Sequence, residues 1–319
     1  MKDFDVVGFG ALNYDRLYVV DEMPKAGDEI VIRKLEEDAG GSAANTIVGL
    51  ARLGLKTGFI GMVGFDDEGK WIMKGFETDK VNTSGLSITS GARTGLVIGY
   101  VDRKGERGLS VYPGANNLLE ITDINVGYAK KARLIHLSSF VSDHQLKQQI
   151  YLVKDLGQEE PEIEFSFSPG MIYVRKGIEK LYPIIERCKV IFLSENEIKL
   201  LTGLEYKVAC NALLKKGVKV VAITLGVKGC YITDGNKSEF IGVSRPPQKV
   251  VDTTGAGDAF AAGFLYGLLT GTDLHTCGVY GNSMAGECVT KYGARKGLVY
   301  SVNNFKQYQV SLLELLKET

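Results

Sequence analysis

Val250–Phe260 reads VVDTTGAGDAF, with a carboxylate on either side of a run of small residues, and the chain then continues as the apolar AAGFLYGLL. The pattern predicts that VVD ends a strand, TTGAG turns, and a helix starts near Asp258 with an interior too apolar to face solvent. Glycine backbones can turn their N–H groups toward a common point, and the first turn of a helix offers unpaired donors at the positive end of its dipole. Gly255, Ala256 and Gly257 therefore read as an anion hole. Asp258 beside it would repel a phosphate unless the chemistry needs a carboxylate there. Phosphoryl transfer to a hydroxyl does need one, to orient the nucleophilic oxygen and accept its proton. A carboxyl with an ordinary pKa of about 4 is a weak base for an alcohol, but in a loose transition state the proton leaves late. The plainer alternative is a glycine turn followed by an N-capping Asp, and the other motifs must decide.

Working outward, FDVVGFG (4–10), TGFIGMV (57–63), RLIHLSSF (133–140), EIEFSFS (162–168), KVIFLS (189–194) and KVVAITL (219–225) have the length and composition of strands. Helical patterns separate them, as over Ser42–Leu53. The alternation predicts an α/β fold of three layers, α/β/α, around a mainly parallel central sheet. Residues 16–37 and 95–112 break the rhythm with strand-like stretches and no helix between them, which predicts a small antiparallel β lid on a single domain covering 1–319. NNFKQYQVSLLELLKE (303–318) has the spacing of an amphipathic helix.

Lys+Arg and Asp+Glu both number 38, so the zero net charge gives no general attraction to nucleic acid or an anionic membrane. No apolar run approaches the roughly 18 residues of a membrane helix. Five cysteines without a CxxC pair fit a reducing, cytoplasmic setting. Two motifs mislead. GFDDEGKW (64–71) matches GxxxxGK, but Trp71 stands where a P-loop needs Ser or Thr, and Asp66, Asp67 and Glu68 would repel phosphate; an acidic helix start explains them. GFGALN (8–13) begins like a dinucleotide fingerprint but carries Asn13 at the third glycine position. His136, His144 and His275 have no metal-ligand spacing.

A polar pocket is expected from GALNYD (10–15) and AGGSAANTIVGLARLG (39–54): Asn13, Asp15 and Asn45 can bind vicinal hydroxyls, and Gly40 and Gly41 admit a ligand to the backbone. TLGVKG (224–229) adds a second small-residue turn that could run along a nucleotide.

Together DTTGAGDAF and GGSAANTIVGLARLG, in their order along Val6–Gly297, resemble the ribokinase-like, phosphofructokinase-B type carbohydrate kinase family. The resemblance implies ATP-dependent phosphorylation of a hydroxyl, usually a primary alcohol of a sugar or nucleoside. Asp258 would be the base, with Gly255, Ala256 and Gly257 as the anion hole. It implies sugar contacts at Asn13, Asp15, Gly40, Gly41 and Asn45, and a nucleotide across Thr224, Gly226, Gly229 and Asn282. Magnesium would be handled by Glu197 through water, or by neighbouring Glu195 or Asn196, and K+ beside Asp252 and the Thr254 carbonyl. Two departures stand out: Ser194 replaces the Asn of the family's N-x-x-E, and Ser138 or Ser139 replaces the strand-end Glu of ribokinases proper, which puts ribose specificity in doubt. A nucleoside acceptor, with Tyr14, Tyr112 and Phe140 enclosing a base, is the alternative; a non-catalytic sugar or nucleotide sensor and a dehydrogenase are the others. The lid should close on the sugar, and its strand edges suit a homodimer.

Overall fold

The computed structural model describes residues 2–103, 107–244 and 246–299, so the helix expected over 303–318 lies outside the described residues. The strands are β1 (Phe4–Phe9), β2 (Asn13–Val20), β3 (Ile32–Gly40), β4 (Thr57–Gly64), β5 (Leu86–Thr89), β6 (Gly95–Val101) and β7 (Arg107–Tyr112). They continue with β8 (Ala132–Ser138), β9 (Glu164–Ser168), β10 (Cys188–Ser194), β11 (Val220–Thr224), β12 (Cys230–Thr233) and β13 (Ser238–Ile241). Helices are α1 (Ser42–Arg52), α2 (Asp67–Thr78), α3 (Asp123–Ala129), α4 (Asp143–Glu159) and α5 (Gly170–Val174). The remainder are α6 (Ile178–Ile185), α7 (Glu195–Thr202), α8 (Tyr206–Lys215), α9 (Ala256–Leu269) and α10 (Leu274–Cys288).

One sheet has the order β13-β12-β11-β10-β9-β8-β1-β4-β5. Neighbours from β11 through β5 run parallel, while β12 and β13 append an antiparallel edge. Alternate side chains supply two cores because successive Cβ atoms point to opposite faces. Val6, Leu134 and Val190 pack with α1, α9 and α10, whereas Val7, Ile135 and Ile191 pack with α4, α6 and α8. This is the expected three-layer α/β/α arrangement. The short strands β5, β12 and β13 were not anticipated. VVD (250–252) is not a strand: the amides of Val251 and Asp252 donate to Val289 O, at the end of α10, instead of to a sheet neighbour.

The second sheet, ordered β3-β2-β6-β7, is mixed rather than antiparallel, because β2 and β6 pair in parallel. The cause is its connections: β2 follows β1 and β6 follows β5, two strands that share one direction in the main sheet. Both chains leave the same edge of the body, at the C-terminal ends of its parallel strands, where open α/β sheets place their sites.

One ion pair locks the base of α1. Arg52, in its last turn, donates to both oxygens of Asp79 (2.8 and 3.1 Å) and to Arg295 O (2.6 Å), with both side chains of the pair under a tenth exposed. Arg52→Met should lower unfolding free energy in urea by about 3–5 kcal/mol, because Asp79 then stays buried without its hydrogen-bonded cation. A loss below 1 kcal/mol would mean that water reaches the carboxylate.

Candidate active site

Helix α9 begins where the sequence placed it, with Gly255 as its N-cap in the left-handed region (φ 78°) and no side chain capping that end. A Cβ at Gly255 would lie 2.5 Å from that of Ala294, so the loop after α10 presses on the turn and only glycine fits. Asp258, in the first turn, is half-buried and held from two sides: Ser42 Oγ donates to Oδ1 (2.6 Å) and Asn45 Nδ2 to Oδ2 (2.9 Å). Burial raises its pKa to about 6, with the charge of Glu197 adding and the bonds from Ser42 and Asn45 opposing. The ordinary carboxyl value assumed from sequence is therefore too low.

The partners of Asp258 come from α1. Gly41 precedes that helix at φ 107°, and a Cβ there would strike Ala11 O at 2.1 Å. Ser138, at the end of β8, accepts from Ala43 N (2.9 Å) through its buried hydroxyl, so it ties α1 to the sheet. Asn13 and Asp15 lie within β2 itself. Asn116 Nδ2 donates to Asn13 Oδ1 (3.0 Å), which turns the Asn13 amide nitrogen away from that contact.

Asp15 is paired with Asp38 across the β2–β3 ladder, and like charges directly opposite one another are unfavourable. Asp15 Oδ1 and Asp38 Oδ2 are both buried without a hydrogen-bond partner. Burial raises the Asp15 pKa to about 7, Asp38 and Asp258 contributing and the Arg295 cation opposing; Asp38 is raised for the same principal reason. The carboxylate of Asp15 occupies the space where a Cβ of Gly40 would be, 2.2 Å away. Arg295, only 5% exposed, donates through Nε to Asn45 Oδ1 (2.9 Å) and through Nη2 to Gly40 O (3.4 Å). Asp38, Ser42, Asn116 and Arg295 are the participants that sequence reasoning missed. Ser42 alone carried a local signal, as the residue after the glycine pair.

Thr224, Gly226, Gly229 and Asn282 line one cleft together with Ala256 and Gly257, enclosing about 340 Å³. Its remaining walls are mostly apolar, including Val243, Val250 and Val289. Asn282 Nδ2 donates to Ile241 O (3.0 Å), bracing the cleft rather than standing free in it.

The expected metal residues are engaged by the chain. Glu197 accepts from Ser194 N (2.8 Å) while Ser194 Oγ accepts from Glu197 N (3.3 Å), a reciprocal cap on α7. Asp252 Oδ1 accepts from Thr254 N and Oγ1 (2.9 and 2.7 Å) and Oδ2 from Gly293 N (3.0 Å), so this carboxylate braces the turn before α9. Among the described residues no three His, Cys, Asp or Glu side chains gather for a metal ion. Phe140 is a core residue packed edge-on against Phe9, not a wall of a binding site, and Tyr14 packs edge-on against Trp71.

The pfkB family carbohydrate kinase model matches residues 3–299. An uncharacterized sugar kinase of Archaeoglobus fulgidus is 40% identical over 80% of this chain and all of its own length. A cytidine kinase of Thermococcus kodakarensis is 30% identical over 80% of this chain and 88% of its own. The structure of Arabidopsis thaliana ribokinase complexed with ribose and ATP superimposes with a TM-score of 0.81 at 25% identity, covering 93% of this chain and 96% of that one. With an apolar cleft running to a glycine-capped helix start and an acid held beside it, the chain belongs to the pfkB family of carbohydrate kinases and is an ATP-dependent sugar kinase.

Proposed function

We propose that the chain transfers the γ-phosphoryl group of ATP to a hydroxyl, preferably a primary alcohol, of a small sugar bound between β2 and α1. The observation carrying this reading is the setting of Asp258, whose pKa of about 6 brings it closer to neutral operating pH than a free carboxyl. Each of its oxygens spends one lone-pair site on Ser42 or Asn45 and keeps another for the acceptor hydroxyl. Asp258 takes the hydroxyl proton as the oxygen attacks phosphorus, and the N–H groups of Gly255 and Gly257 stabilise the charge that gathers on the moving phosphoryl, that of Ala256 being given to Thr253 O at 3.2 Å. Asp15, with Asn13, Asn45 and the backbone of Gly40 and Gly41, grips the other hydroxyls of the sugar. Thr224, Gly226 and Gly229 run beside the phosphates, and Asn282 braces the adenosine end.

The family's kinases use ATP with a metal ion. The donor set fits Mg2+ arriving with the nucleotide, since Mg2+ is commonly held by phosphates, water and one or two carboxylates. Glu197 would contact it through water, and the ion would neutralise phosphate charge. K+ beside Asp252 and the Thr254 carbonyl would have to share a carboxylate that three donors of the chain already reach.

A coupled ADP-release screen over ribose, fructose, fructose phosphates, ketodeoxygluconate and nucleosides tests the reading: turnover is expected with a free sugar. Activity confined to nucleosides would transfer the assignment to the second reading, a nucleoside kinase, which the Thermococcus relative favours and the burial of Phe140 opposes. The second sheet would serve as a lid on one domain, excluding water that competes for the phosphoryl group. Hydrogen exchange in β2, β3 and β6 should slow when sugar binds; identical exchange in both states would sink closure. The free edges of β3 and β7 suit pairing with a second copy, which sedimentation would reveal as a dimer. Five buried free cysteines favour the cytoplasm, and no described helix is long and apolar enough to cross a membrane.

A further inference from the structure

We propose that Arg295 is a positioning residue for phosphoryl transfer: its guanidinium fixes the amide of Asn45, so that Asn45 in turn holds the Asp258 carboxylate toward the acceptor hydroxyl. This inference rests on Asp258 being the base. The two ends of an asparagine amide are chemically opposite, one accepting and the other donating, and a guanidinium can only donate. With Arg295 Nε on Asn45 Oδ1, the Nδ2 end must face Asp258 Oδ2, as the distances of 2.9 Å at both contacts require. The flipped amide would set two donors together at Arg295 and two acceptors together at Asp258. Arg295 thereby excludes the wrong amide orientation.

The guanidinium is itself well fixed. Its Nη2 reaches Gly40 O and its carbon lies 5.4 Å from the ring centre of Phe76, while the main-chain carbonyl of Arg295 accepts from Arg52 Nη1. A cation buried only to offset Asp15 and Asp38 would need no fork directed at an amide, and a lysine would serve as well. A lysine cannot reproduce two diverging planar bonds from one ammonium. The groups acting on Asp258 come from several elements: Ser42 and Asn45 from α1, Glu197 from α7, Arg295 from the loop after α10, and the neighbouring Asp15 and Cys288. Of these Arg295 is the cation, so its loss removes charge stabilisation from the base as well as its alignment.

The test uses the full chain with ATP and the acceptor that the screen identifies, comparing Arg295→Lys, Arg295→Met, Asn45→Ala and the double variant Asn45→Ala/Arg295→Met. Arg295→Lys should lower kcat roughly 10- to 100-fold, the scale of a small misalignment of reacting groups, with ADP affinity by calorimetry unchanged. Arg295→Met should in addition move the acidic limb of the kcat profile to higher pH, because the cation no longer favours the ionised carboxylate. At a pH above the acidic limb, where the charge effect of Arg295 on the base no longer limits turnover, the double variant should be no slower than Asn45→Ala, because both changes break one chain of contacts. Wild-type kcat in Arg295→Lys, or fully additive losses in the double variant, would overturn the proposal. Should Arg295→Met not fold, Arg295→Lys alone and combined with Asn45→Ala decides. Asp258→Asn assayed alongside separates the two failures. Turnover retained there removes the base, whereas turnover lost there but untouched in Arg295→Lys removes only the positioning role.

Discussion

Asp258→Asn should lower kcat by roughly 10² to 10⁴-fold, the usual contribution of a positioned acid or base, while ADP binding stays near that of the unaltered chain. The amide preserves the shape of the side chain, and its oxygen can still accept from Ser42, which donates at 2.6 Å. It cannot take a proton from the attacking alcohol, and its NH2 group would face the NH2 of Asn45, which now donates at 2.9 Å. The cleft proposed for the nucleotide is lined by Ala256 and Gly257 and not by Asp258, and neither of those residues changes. In the unaltered chain, kcat should rise with pH through about 6 and then level, because the carboxylate form is the active one and burial sets its pKa there. A profile flat from pH 5 to pH 8, or an Asn variant with full turnover, would leave the transfer without this base.

The body of the fold was legible because its signal is local. Six strands were predicted from apolar β-branched runs, and a buried parallel strand needs no information from its neighbours to read that way. The missing strands β5, β12 and β13 are four residues each, too short for a periodic pattern, and β5 and β13 are also only partly buried at the sheet edges. The direction of β6 against β2 depends on where both strands leave the body, which no window of sequence contains. The site divides along the same line. Asp258 and its glycines were readable because backbone requirement and chemistry sit within four residues. Arg295 in GARKG looks like any surface cation, and only the fold brings it to Asn45, 250 positions away. Asp38 was hidden likewise, in a strand among charged neighbours, and its importance comes from the ladder that sets it against Asp15. Glu197 was implied by the family resemblance, which could not reveal that its carboxylate caps its own helix.

Asp15→Asn should make the free enzyme more stable at pH 8 and much worse at using its sugar. The sign follows from proton linkage. Asp15 has a folded-state pKa of about 7, raised by burial above the ordinary carboxyl value, so between the two values the folded chain binds more protons than the unfolded one. Stability therefore falls as pH rises through that window, and the full penalty is present above pH 7. Asparagine removes it. Because Asp15 is half-buried, the linkage value is discounted to about 2 kcal/mol at pH 8, which shrinks through pH 6 and vanishes near pH 4. In a thermal melt without ligands the variant should gain a few degrees at pH 8 and nothing at pH 4. Its kcat/KM for the acceptor should fall about 10- to 100-fold, as expected when a hydrogen bond to a charged group is lost, mainly through KM. Such an exchange of stability for binding is what the proposed role of Asp15 implies: the acceptor's hydroxyls would relieve the repulsion that the free chain tolerates between Asp15 and Asp38. An Asn variant with the melting temperature raised but the acceptor KM unchanged would place the sugar elsewhere, and one with neither changed would mean that solvent already reaches the β2–β3 carboxylates.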